Sequence, residues 1–394
     1  MNIALLCPYL PAPAHSGGRI RIHRLAAALA RLGEVSLFAS AGQSDLDQHR
    51  NDPGLSLFTR THLAHTAFSW LSSNGVPARV RRCASTSLKH ALLRSHAERP
   101  FSVVVVEHAQ AASLACDLGV PWVLDEHNVE SEYLRERLRA QGRLVEVVAR
   151  REIAALQRWE QRCWRAATRV TCVSEADAAE IARQSGRRPT VIPNGISLRE
   201  IRFILPSHRR GYEIAFIGLM GHAPNAAAAR FLAREVLPRV QRVEPRARLT
   251  LCGADPTAAV RALAGPDVEV TGRVASVNPY LERAAVYANP LQHGAGTSLK
   301  VLEALAAGTP LVSSESGVRG FALEAPRHFL AAESAEQFAG QILSCFRDRG
   351  SRDGAARAGR NFAEAHDFAT IGESFAAVIV DAVRTRGPDQ REAT

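Results

Sequence analysis

Residues 288–314 constrain the possible fold most strongly, because they alternate extended and helical patterns within a short span. The apolar run 284–288 predicts a strand that leads into a glycine-rich loop. A short helix is expected next, with Ser298 as its N-cap and Gly308 where a glycine ends a helix. Its apolar face carries three leucines at helical spacing: Leu299, Leu302 and Leu305. The span therefore predicts a strand, a loop, a helix, a tight turn and a second strand.

The glycine-rich loop has the features of an anion site. Gly294 and Gly296 leave little side-chain bulk, so backbone amides can approach a ligand closely. Lys300 falls in the first helical turn, where the helix dipole disfavours a cation, and a bound anion would remove that conflict. Glu303 lies near the next turn, within reach of sugar or ribose hydroxyls. The alternative is an ordinary loop with a solvent-facing lysine.

The same alternation runs along the whole chain, twice over. Residues 2–39 follow a strand–helix–strand pattern, which predicts parallel pairing with a right-handed crossover. A fresh series begins at residue 212, after the polar stretch 205–211, which is the best linker candidate. At 394 residues the chain is also too long for one simple core. We therefore predict an α/β protein with two Rossmann-like parallel-sheet domains facing a central cleft, where ligands bind in such folds.

The predicted domains are residues 1–205 and residues 206–365, followed by a C-terminal segment at 366–394. That segment is expected to form a helix that packs back on the N-terminal domain, and then a disordered tail. No apolar run approaches the ~20 residues of a membrane span, and the start of the chain resembles a first strand, not a signal peptide. The seven cysteines form no CxxC pair, so we expect reduced, buried thiols in a cytoplasmic protein.

The chain is basic, with a formal net charge of +10 that is unevenly distributed. Residues 76–99 and 131–165 are both strongly basic, which suits an anionic membrane, a phosphate-bearing substrate or nucleic acid. The alternative is a solvated helix whose arginines pair with glutamates such as Glu132, Glu136 and Glu152. No nucleic-acid-binding motif occurs and aromatic residues make up only 6%, so we expect no nucleic-acid partner.

Two histidines follow apolar runs directly and are expected at strand ends on the cleft side of the first domain. His108 follows the run 103–106, and His127 follows 122–124 by two residues. Acidic residues flank both, and an imidazole with a pKa near neutrality can accept or donate a proton at a reacting hydroxyl. The alternative is that each histidine only hydrogen-bonds a loop.

Other nucleotide-binding and metal-binding patterns are missing or weak. The loop that contains Gly17 and Gly18 lacks the GxGxxG spacing, and no ribose-binding acid stands near the end of the predicted strand 34–39, which disfavours a nicotinamide dehydrogenase. No P-loop motif occurs. Asp45 and Asp47 form a DxD pattern in a polar stretch, which we interpret as a solvated acidic turn. We predict no metal site.

Seven motifs occur in order along nearly the whole chain. Three lie in the first half: Ser-Gly-Gly-Arg-Ile-Arg at 16–21, Asp-Glu-His-Asn-Val-Glu-Ser at 125–131 and Ile-Pro-Asn-Gly at 192–195. Four lie in the second half: Phe-Ile-Gly-Leu-Met-Gly-His-Ala-Pro-Asn at 216–225, Leu-Cys-Gly-Ala-Asp-Pro at 251–256, Val-Thr-Gly-Arg-Val at 270–274 and the stretch 290–308. Together they resemble the family-4 glycosyltransferases of the GT-B fold, in the branch associated with exopolysaccharide and other sugar transferases.

The resemblance implies that the second domain binds a nucleotide-diphospho-sugar and that the first holds the acceptor. The implied donor contacts are Gly294, Gly296, Thr297, Ser298 and Lys300 at the phosphates, Glu303 at the ribose, and Gly17, Gly18, Gly218 and Asn225 around them. His108 would stand near the transferred sugar and, with Lys300 and Glu303, form the catalytic set. His127 and Asn128 would shape the acceptor side.

Two features depart from the family pattern. The usual Glu-x7-Glu has only its second member, Glu303, because Ala295 stands eight positions earlier. The usual basic pair after the first strand of the second domain is absent, and His222 and Asn225 stand near that place. Lys300 is expected to take over the neutralisation of the donor's charge.

We therefore expect a cytoplasmic, metal-independent, retaining glycosyltransferase for polysaccharide biosynthesis, with peripheral attachment to the inner membrane face. It would move a sugar from a nucleotide-diphospho-sugar to a hydroxyl of a glycan, lipid-linked or small-molecule acceptor, with no cofactor beyond that substrate. A GT-B nucleotide-sugar epimerase would use similar loops. A non-catalytic GT-B partner subunit would fit the incomplete Glu-x7-Glu. A dinucleotide oxidoreductase is the least favoured alternative.

Overall fold

The computed structural model describes residues 1–14, 16–66, 75–115, 118–139, 143–292 and 298–385, with side chains for all of these except residues 143–148. The chain divides into two compact units. The first comprises Met1–Asn194 and Phe368–Thr394, and the second comprises Gly195–Asp367. The predicted disordered tail falls largely on residues 386–394, outside the described part of the chain.

The boundary between the units lies earlier than the predicted linker at 205–211. Ile196 and Ile201 are both buried in a hydrophobic cluster of the second unit. The Ile196 N–H also donates to the carbonyl of His366, at 2.9 Å. Residues 195–205 therefore belong to the second unit, because their apolar side chains are covered there.

The sheet of the first unit is entirely parallel. Its strands among the described residues are β1 (Asn2–Cys7), β2 (Glu34–Ala41), β3 (Arg60–His65), β4 (Val103–Glu107), β5 (Trp122–Glu126), β6 (Arg169–Cys172) and β7 (Thr190–Val191). They lie in the order β3–β2–β1–β4–β5–β6–β7. Strands β1 and β4 are buried along their whole length, as expected for parallel strands covered on both faces.

Helices cover both faces of that sheet. The described part of the unit contains α1 (Gly17–Leu29), α2 (Gln43–His49), α3 (Ala78–Cys83), α4 (Thr86–Glu98), α5 (Glu130–Arg139), α6 (Arg143–Ala166), α7 (Glu175–Ser185) and, from the end of the chain, α15 (Phe368–Arg384). Helix α15 packs on α1, where the ideal Cβ position at Gly372 lies only 2.8 Å from the Ala28 Cβ. A larger residue at 372 would push the two helices apart.

The second unit repeats the scheme with a six-stranded parallel sheet. Its strands in the described residues are β8 (Glu213–Ile217), β9 (Arg248–Cys252), β10 (Val268–Gly272), β11 (Val286–Asn289), β12 (Leu311–Ser313) and β13 (Leu330–Ala331), in the order β10–β9–β8–β11–β12–β13. Its helices are α8 (Ala223–Phe231), α9 (Leu237–Gln241), α10 (Ala258–Arg261), α11 (Asn278–Arg283), α12 (Leu299–Ala306), α13 (Ala335–Arg347) and α14 (Asp353–Glu364). The predicted α/β class with two Rossmann-like sheets is confirmed.

Some elements differ from the sequence prediction. Strand β3 was not predicted, because its residues are mostly polar and half-exposed at the edge of the sheet. The predicted acidic turn at Asp45 and Asp47 is wrong, since both residues lie on helix α2. The Arg19 guanidinium donates to Asp45 at 2.7 Å, and the Gln43 amide donates to Asp47 at 2.7 Å. Each carboxylate of the DxD pattern therefore has a hydrogen-bond partner within the protein.

The cysteines of the described residues are buried thiols, as predicted. Six are free and buried: Cys7, Cys83, Cys163, Cys172, Cys252 and Cys345. Cys116 lies outside the described residues.

A buried arginine holds the start of the second unit. Arg209 is 4% exposed, and its guanidinium donates to the carbonyls of Leu281 and Ala284 at 2.6 Å and of Ala307 at 2.6 Å. Burial lowers the pKa of Arg209 to about 10, so the group is still charged at neutral pH. Carbonyl oxygens from two other segments of the unit surround this charge, and the nearby Glu282 favours it electrostatically.

We expect Arg209→Ala to lower the free energy of unfolding of the second unit by about 3 kcal/mol, because several buried carbonyls lose a donor. Urea denaturation, followed by far-ultraviolet circular dichroism, measures this change. The matched control is Arg210→Ala at the exposed neighbouring position, which should change stability by less than about 0.5 kcal/mol. Equal effects at both positions would contradict the structural role of Arg209.

Candidate active site

The polar residues of the first unit gather where β4 and β5 end. In the parallel register, Glu107 on β4 lies beside Asp125 on β5. The residues that follow each strand, His108 and His127, therefore leave the sheet at the same edge. Their ring centroids lie 4.1 Å apart. The prediction that both histidines follow neighbouring strand ends is confirmed, and both are almost fully buried.

An ion pair lies beneath the histidines. Arg21 on α1 is 1% exposed and donates from Nε and Nη2 to the two oxygens of Asp125, both at 2.9 Å. The Thr171 hydroxyl donates to Asp125 Oδ1 at 2.6 Å, and Arg21 Nη1 also donates to the Pro193 carbonyl at 3.0 Å. Burial alone would raise the pKa of Asp125, but Arg21 and His127 together outweigh burial and hold the pKa below its ordinary value. Asp125 is therefore ionised at neutral pH.

His127 is bonded to acids, which favours its charged form. Its Nε2 lies 2.8 Å from Glu107 Oε2 and 3.4 Å from Asp125 Oδ2. Burial lowers the pKa of His127, yet the hydrogen bonds to these two carboxylates outweigh burial and raise it. Burial raises the pKa of Glu107. His127 and the two acids therefore form a compact hydrogen-bonded network, and this histidine is positively charged more readily than an ordinary one.

His108 has the opposite electrostatic character. Burial, together with the nearby His127, lowers its pKa well below the ordinary value. Its Nε2 lies 3.2 Å from the Tyr9 hydroxyl, and its Nδ1 lies 3.5 Å from Glu130 Oε1. Glu130 in turn accepts from Arg79 at 2.8 Å. A neutral imidazole with these contacts can accept a hydrogen bond or a proton, which is what a group beside a reacting hydroxyl needs.

Tyr9 was missed by the sequence analysis. It lies in the loop after β1, and its hydroxyl contacts His108. The ideal Cβ position at Gly18 lies 2.4 Å from that hydroxyl and 3.5 Å from His127 Nδ1. Glycine at position 18 therefore lets α1 start against the histidines. A lone tyrosine in a loop carries no periodicity or spacing that would have identified it.

The remaining first-unit residues of the prediction lie nearby in the fold. Gly17 opens helix α1 and is exposed, and Asn128 follows β5 and is half-buried. Arg21 was quoted only as part of a motif. Its alternation with apolar neighbours on a helix gave no sign that it would be buried against a carboxylate 104 residues away.

The cluster of Glu107, Asp125 and His127 is compact enough to suggest a cation site, with one ligand atom from each within 4.8 Å of the others. Both Asp125 oxygens, however, already accept hydrogen bonds from Arg21, and Thr171 adds a further one. A metal ion bound to Asp125 would lie close to the Arg21 guanidinium. The donor set fits a hydrogen-bonded ion-pair network better than a metal site.

The second unit brings together a different group of predicted residues. Lys300 lies in the first turn of α12, and its Nζ donates to Asn225 Oδ1 at 2.9 Å. Asn225 Nδ2 donates to the Leu219 carbonyl at 2.9 Å, which fixes the amide. The ideal Cβ position at Gly218 lies 2.9 Å from Asn225 Nδ2 and 3.1 Å from Lys300 Nζ. Glycine at 218 therefore allows the lysine and the amide to meet above the end of β8.

Lys300 has no ion-pair partner within 4 Å among the described residues. Its Nζ lies 5.0 Å from the centre of the Phe216 ring, a contact that the sequence analysis did not predict. Burial lowers the pKa of Lys300 to about 8 and raises the pKa of Glu303 to about 7. Both groups therefore titrate close to neutral pH, which makes the local charge sensitive to a bound anion.

The loop before α12 falls only partly within the described residues. Ser298 is at the predicted N-cap position, but its hydroxyl makes no capping bond and is buried with no hydrogen-bond partner among the described residues. Gly308 ends the helix with φ 69°, as predicted. The predicted phosphate contacts Gly294, Gly296 and Thr297, together with Ala295, lie outside the described residues.

Two protein-family models match the chain. A glycosyl transferase 4-like domain matches residues 16–195, and a model described as glycosyl transferases group 1 matches residues 211–348. The first match contains the histidine cluster, and the second contains Gly218, Asn225 and Lys300. A sequence search of curated proteins finds no match.

Solved structures with the same fold align over nearly the whole chain. Sucrose-phosphate synthase from Thermosynechococcus elongatus has a TM-score of 0.70 at 18% identity, covering 97% of this chain and 98% of its own. Anabaena HepE in complex with UDP-glucose has a TM-score of 0.66 at 14% identity, covering 97% and 100%. WaaG, a glycosyltransferase involved in lipopolysaccharide biosynthesis, has a TM-score of 0.66 at 16% identity, covering 98% and 100%. The chain belongs to the family-4 glycosyltransferases of the GT-B fold.

Proposed function

We propose that this glycosyltransferase moves a sugar from a nucleotide-diphospho-sugar to an acceptor hydroxyl, with retention of configuration at the anomeric carbon. The bond from the anomeric carbon to the diphosphate breaks, the acceptor oxygen bonds to that carbon, and the hydroxyl proton passes to a base, a role that suits the neutral imidazole of His108. Retention is inferred from family membership. The solved structure of HepE with UDP-glucose supports a donor of this chemical class.

The observation that carries the proposal is the charge of Lys300. The ammonium is held by a neutral amide and an aromatic face, and it stands at the start of a helix whose N-terminal end favours anions. Glu303 acts on Lys300 only through its charge, without an ion pair within 4 Å, and a diphosphate would supply a counter-charge in direct contact. Stabilising the charge that develops on the leaving diphosphate is where most of the rate acceleration is expected. We propose that this lysine supplies that stabilisation without a metal ion.

Two other functions compete with transfer. An epimerase would bind the same donor and change the sugar with no acceptor present. A non-catalytic partner subunit would bind no nucleotide-sugar.

Two measurements separate these three functions. The first is thermal stabilisation by UDP-, GDP- and dTDP-sugars, and the second is acceptor-dependent release of nucleoside diphosphate in EDTA. A donor present at about 100 times its Kd should stabilise the fold by about 2.7 kcal/mol. Nucleotide release that requires an acceptor supports transfer, and stabilisation by none of the donors would overturn it.

Lys300→Ala should weaken donor binding by about 1.5–3 kcal/mol, because a charge-assisted contact to phosphate is lost. Affinity of the unmodified protein should also fall as pH rises through about 8, since the free lysine then loses its proton. Calorimetry over this pH range measures both effects. In the Lys300→Ala protein, donor affinity should no longer fall as pH rises through about 8.

The matched control is Lys89→Ala on α4, which removes the only other lysine of the chain. It should leave donor affinity and its pH dependence unchanged. Equal affinity in the Lys300→Ala and unmodified proteins would show that the anion site lies elsewhere.

His108→Ala should lower kcat by about 100-fold or more and leave the Kd for the nucleotide nearly unchanged. The reason is that a neutral, buried imidazole suits the reacting centre, whereas we assign the phosphate contacts to the second unit. Steady-state kinetics and calorimetry on the same variant test this division of roles. His90→Ala, an exposed histidine on α4, is the control. Normal turnover with lost nucleotide binding would reverse the assignment.

We further propose that the enzyme acts in the cytoplasm on an acceptor presented at an anionic membrane surface. Among the described residues, no helix has the length and apolarity of a membrane span. Helix α6 carries exposed arginines: Arg150, Arg151, Arg158, Arg162 and Arg165. None of them forms an ion pair within the described part of the chain. Glu152 accepts from the Ala78 N–H, and Glu160 is buried against the Ser131 N–H. Arg162 lies over the Trp159 ring and Arg165 donates to the Gln184 carbonyl, so these arginines have partners without a counter-charge, and all five could face an anionic surface.

The unmodified protein should co-sediment with vesicles that contain anionic lipid but not with neutral ones, and less so as salt rises. Replacing Arg151, Arg158 and Arg162 by alanine should weaken binding about 100-fold, at about 1 kcal/mol for each residue near the surface. The control replaces three exposed arginines of the second unit, Arg230, Arg234 and Arg242, with alanine. Binding that ignores lipid charge would favour a soluble acceptor.

A further inference from the structure

The backbone at His108 is held in an unusual conformation. Its φ is 62° and its ψ is 142°, a region that residues with a side chain rarely adopt. Such a conformation costs about 1–3 kcal/mol and persists only where its surroundings hold it. The His108 N–H donates to the Asp125 carbonyl at 2.9 Å, which continues the pairing of β4 with β5. The bonds that hold the residue after His108 come from another part of the unit.

Both backbone polar groups of Ala109 are hydrogen-bonded to side chains. Its N–H donates to Glu126 Oε2 at 3.2 Å, and its carbonyl accepts from the Trp159 indole Nε1–H at 2.7 Å. Ala109 is fully buried. The turn that contains His108 is therefore hydrogen-bonded to Glu126 at the end of β5 and to Trp159 on helix α6.

Glu126 connects the turn to the same helix a second time. Its Oε1 accepts from the Trp164 indole Nε1–H at 2.9 Å, while its Oε2 accepts from the Ala109 N–H. Glu126 is 1% exposed and Trp164 is fully buried. Both carboxyl oxygens are therefore used by N–H donors, one from the turn and one from α6.

Helix α6 also contacts the backbone beside Glu130, whose carboxylate faces His108. Glu160 lies one turn before Trp164, and both of its carboxyl oxygens lie 3.3 Å from the Ser131 backbone nitrogen, from which they accept. Ser131 is the second residue of α5 and follows Glu130, whose Oε1 lies 3.5 Å from His108 Nδ1. Contacts from one helix thus reach both the backbone and the side-chain environment of His108.

We propose that Trp159, Trp164 and Glu126 are positioning residues, which fix the orientation of His108 for sugar transfer through their hydrogen bonds to its turn. The inference rests on the catalytic role proposed for His108. The indole N–H groups, and not only the bulk of the rings, carry this function. Without them the turn at His108 can relax toward a common backbone conformation, and the imidazole moves away from its contacts with Tyr9 and Glu130.

The test replaces Trp159 and Trp164 by phenylalanine, singly and together, which keeps an aromatic ring and removes the N–H donor. The double variant should lose about 10- to 100-fold in kcat, because a displacement of about 1 Å at a reacting group has effects of this size. The donor KM and the calorimetric Kd for the nucleotide should remain unchanged. The imidazole NMR signals of His108, assigned by their absence from His108→Ala, should shift.

The matched control is Trp122→Phe on β5, a buried tryptophan whose indole bonds to neither Ala109 nor Glu126 among the described residues. It should leave the His108 signals unchanged, whatever its effect on stability. Glu126→Gln is the second variant, because an amide N–H would face one of the two N–H donors and break one side of the connection. Glu126→Gln should also lower kcat. It provides the test if the double tryptophan variant fails to fold.

A kcat within about twofold of the unmodified enzyme, or a loss no larger than that of Trp122→Phe with unshifted His108 signals, overturns the positioning role. Loss of activity in His108→Ala, measured alongside, keeps this outcome separate from failure of the proposed function. If the unmodified protein transfers no sugar, or His108→Ala is fully active, the proposed function fails. The NMR signals still report whether the indoles orient the imidazole.

Discussion

The buried ion pair between Arg21 and Asp125 is the contact on which the polar centre of the first unit depends. It joins α1 to β5, and each member would be a costly unpaired charge without the other. Arg21 helps to keep Asp125 ionised, and Asp125 and Glu107 together favour a protonated His127. The charged His127 then adds to burial in keeping His108 neutral. Through Asp125, the pair thus influences the protonation of both histidines.

The second unit handles charge differently. Its central cation, Lys300, is held by an amide and an aromatic ring instead of a carboxylate, and burial lowers its pKa. A charge paired in this way is only partly compensated. The first unit therefore contains a closed set of ion pairs that can orient neutral and charged imidazoles, whereas the second contains a cation that an anionic ligand would complete. This division supports the proposal that the second unit binds the diphosphate of the donor.

The strand ends at His108 and His127 were predictable because a run of apolar residues stops immediately before each. The place of Lys300 in the first turn of α12 was predictable because the helix pattern around it is local. Strand β3 was not, since a half-exposed edge strand lacks the apolar run of a central one. Tyr9 was not either, because its importance comes from a contact with a residue 99 positions away. Local patterns identify elements and their ends, but they do not identify partners.

Hydrophobic periodicity and loop composition were enough to predict the two parallel sheets, the order of their motifs and the family, because both are local properties of the chain. Which acid bonds which base follows from the folded arrangement instead. Arg21, Asp125 and Thr171 come from three separate segments, and strand register and helix packing place them within hydrogen-bonding distance. The same holds for the indoles of α6 at the His108 turn. The protonation of the histidines and the orientation of His108 depend on such distances and on burial. Local spacing in the sequence encodes neither the distances nor the burial.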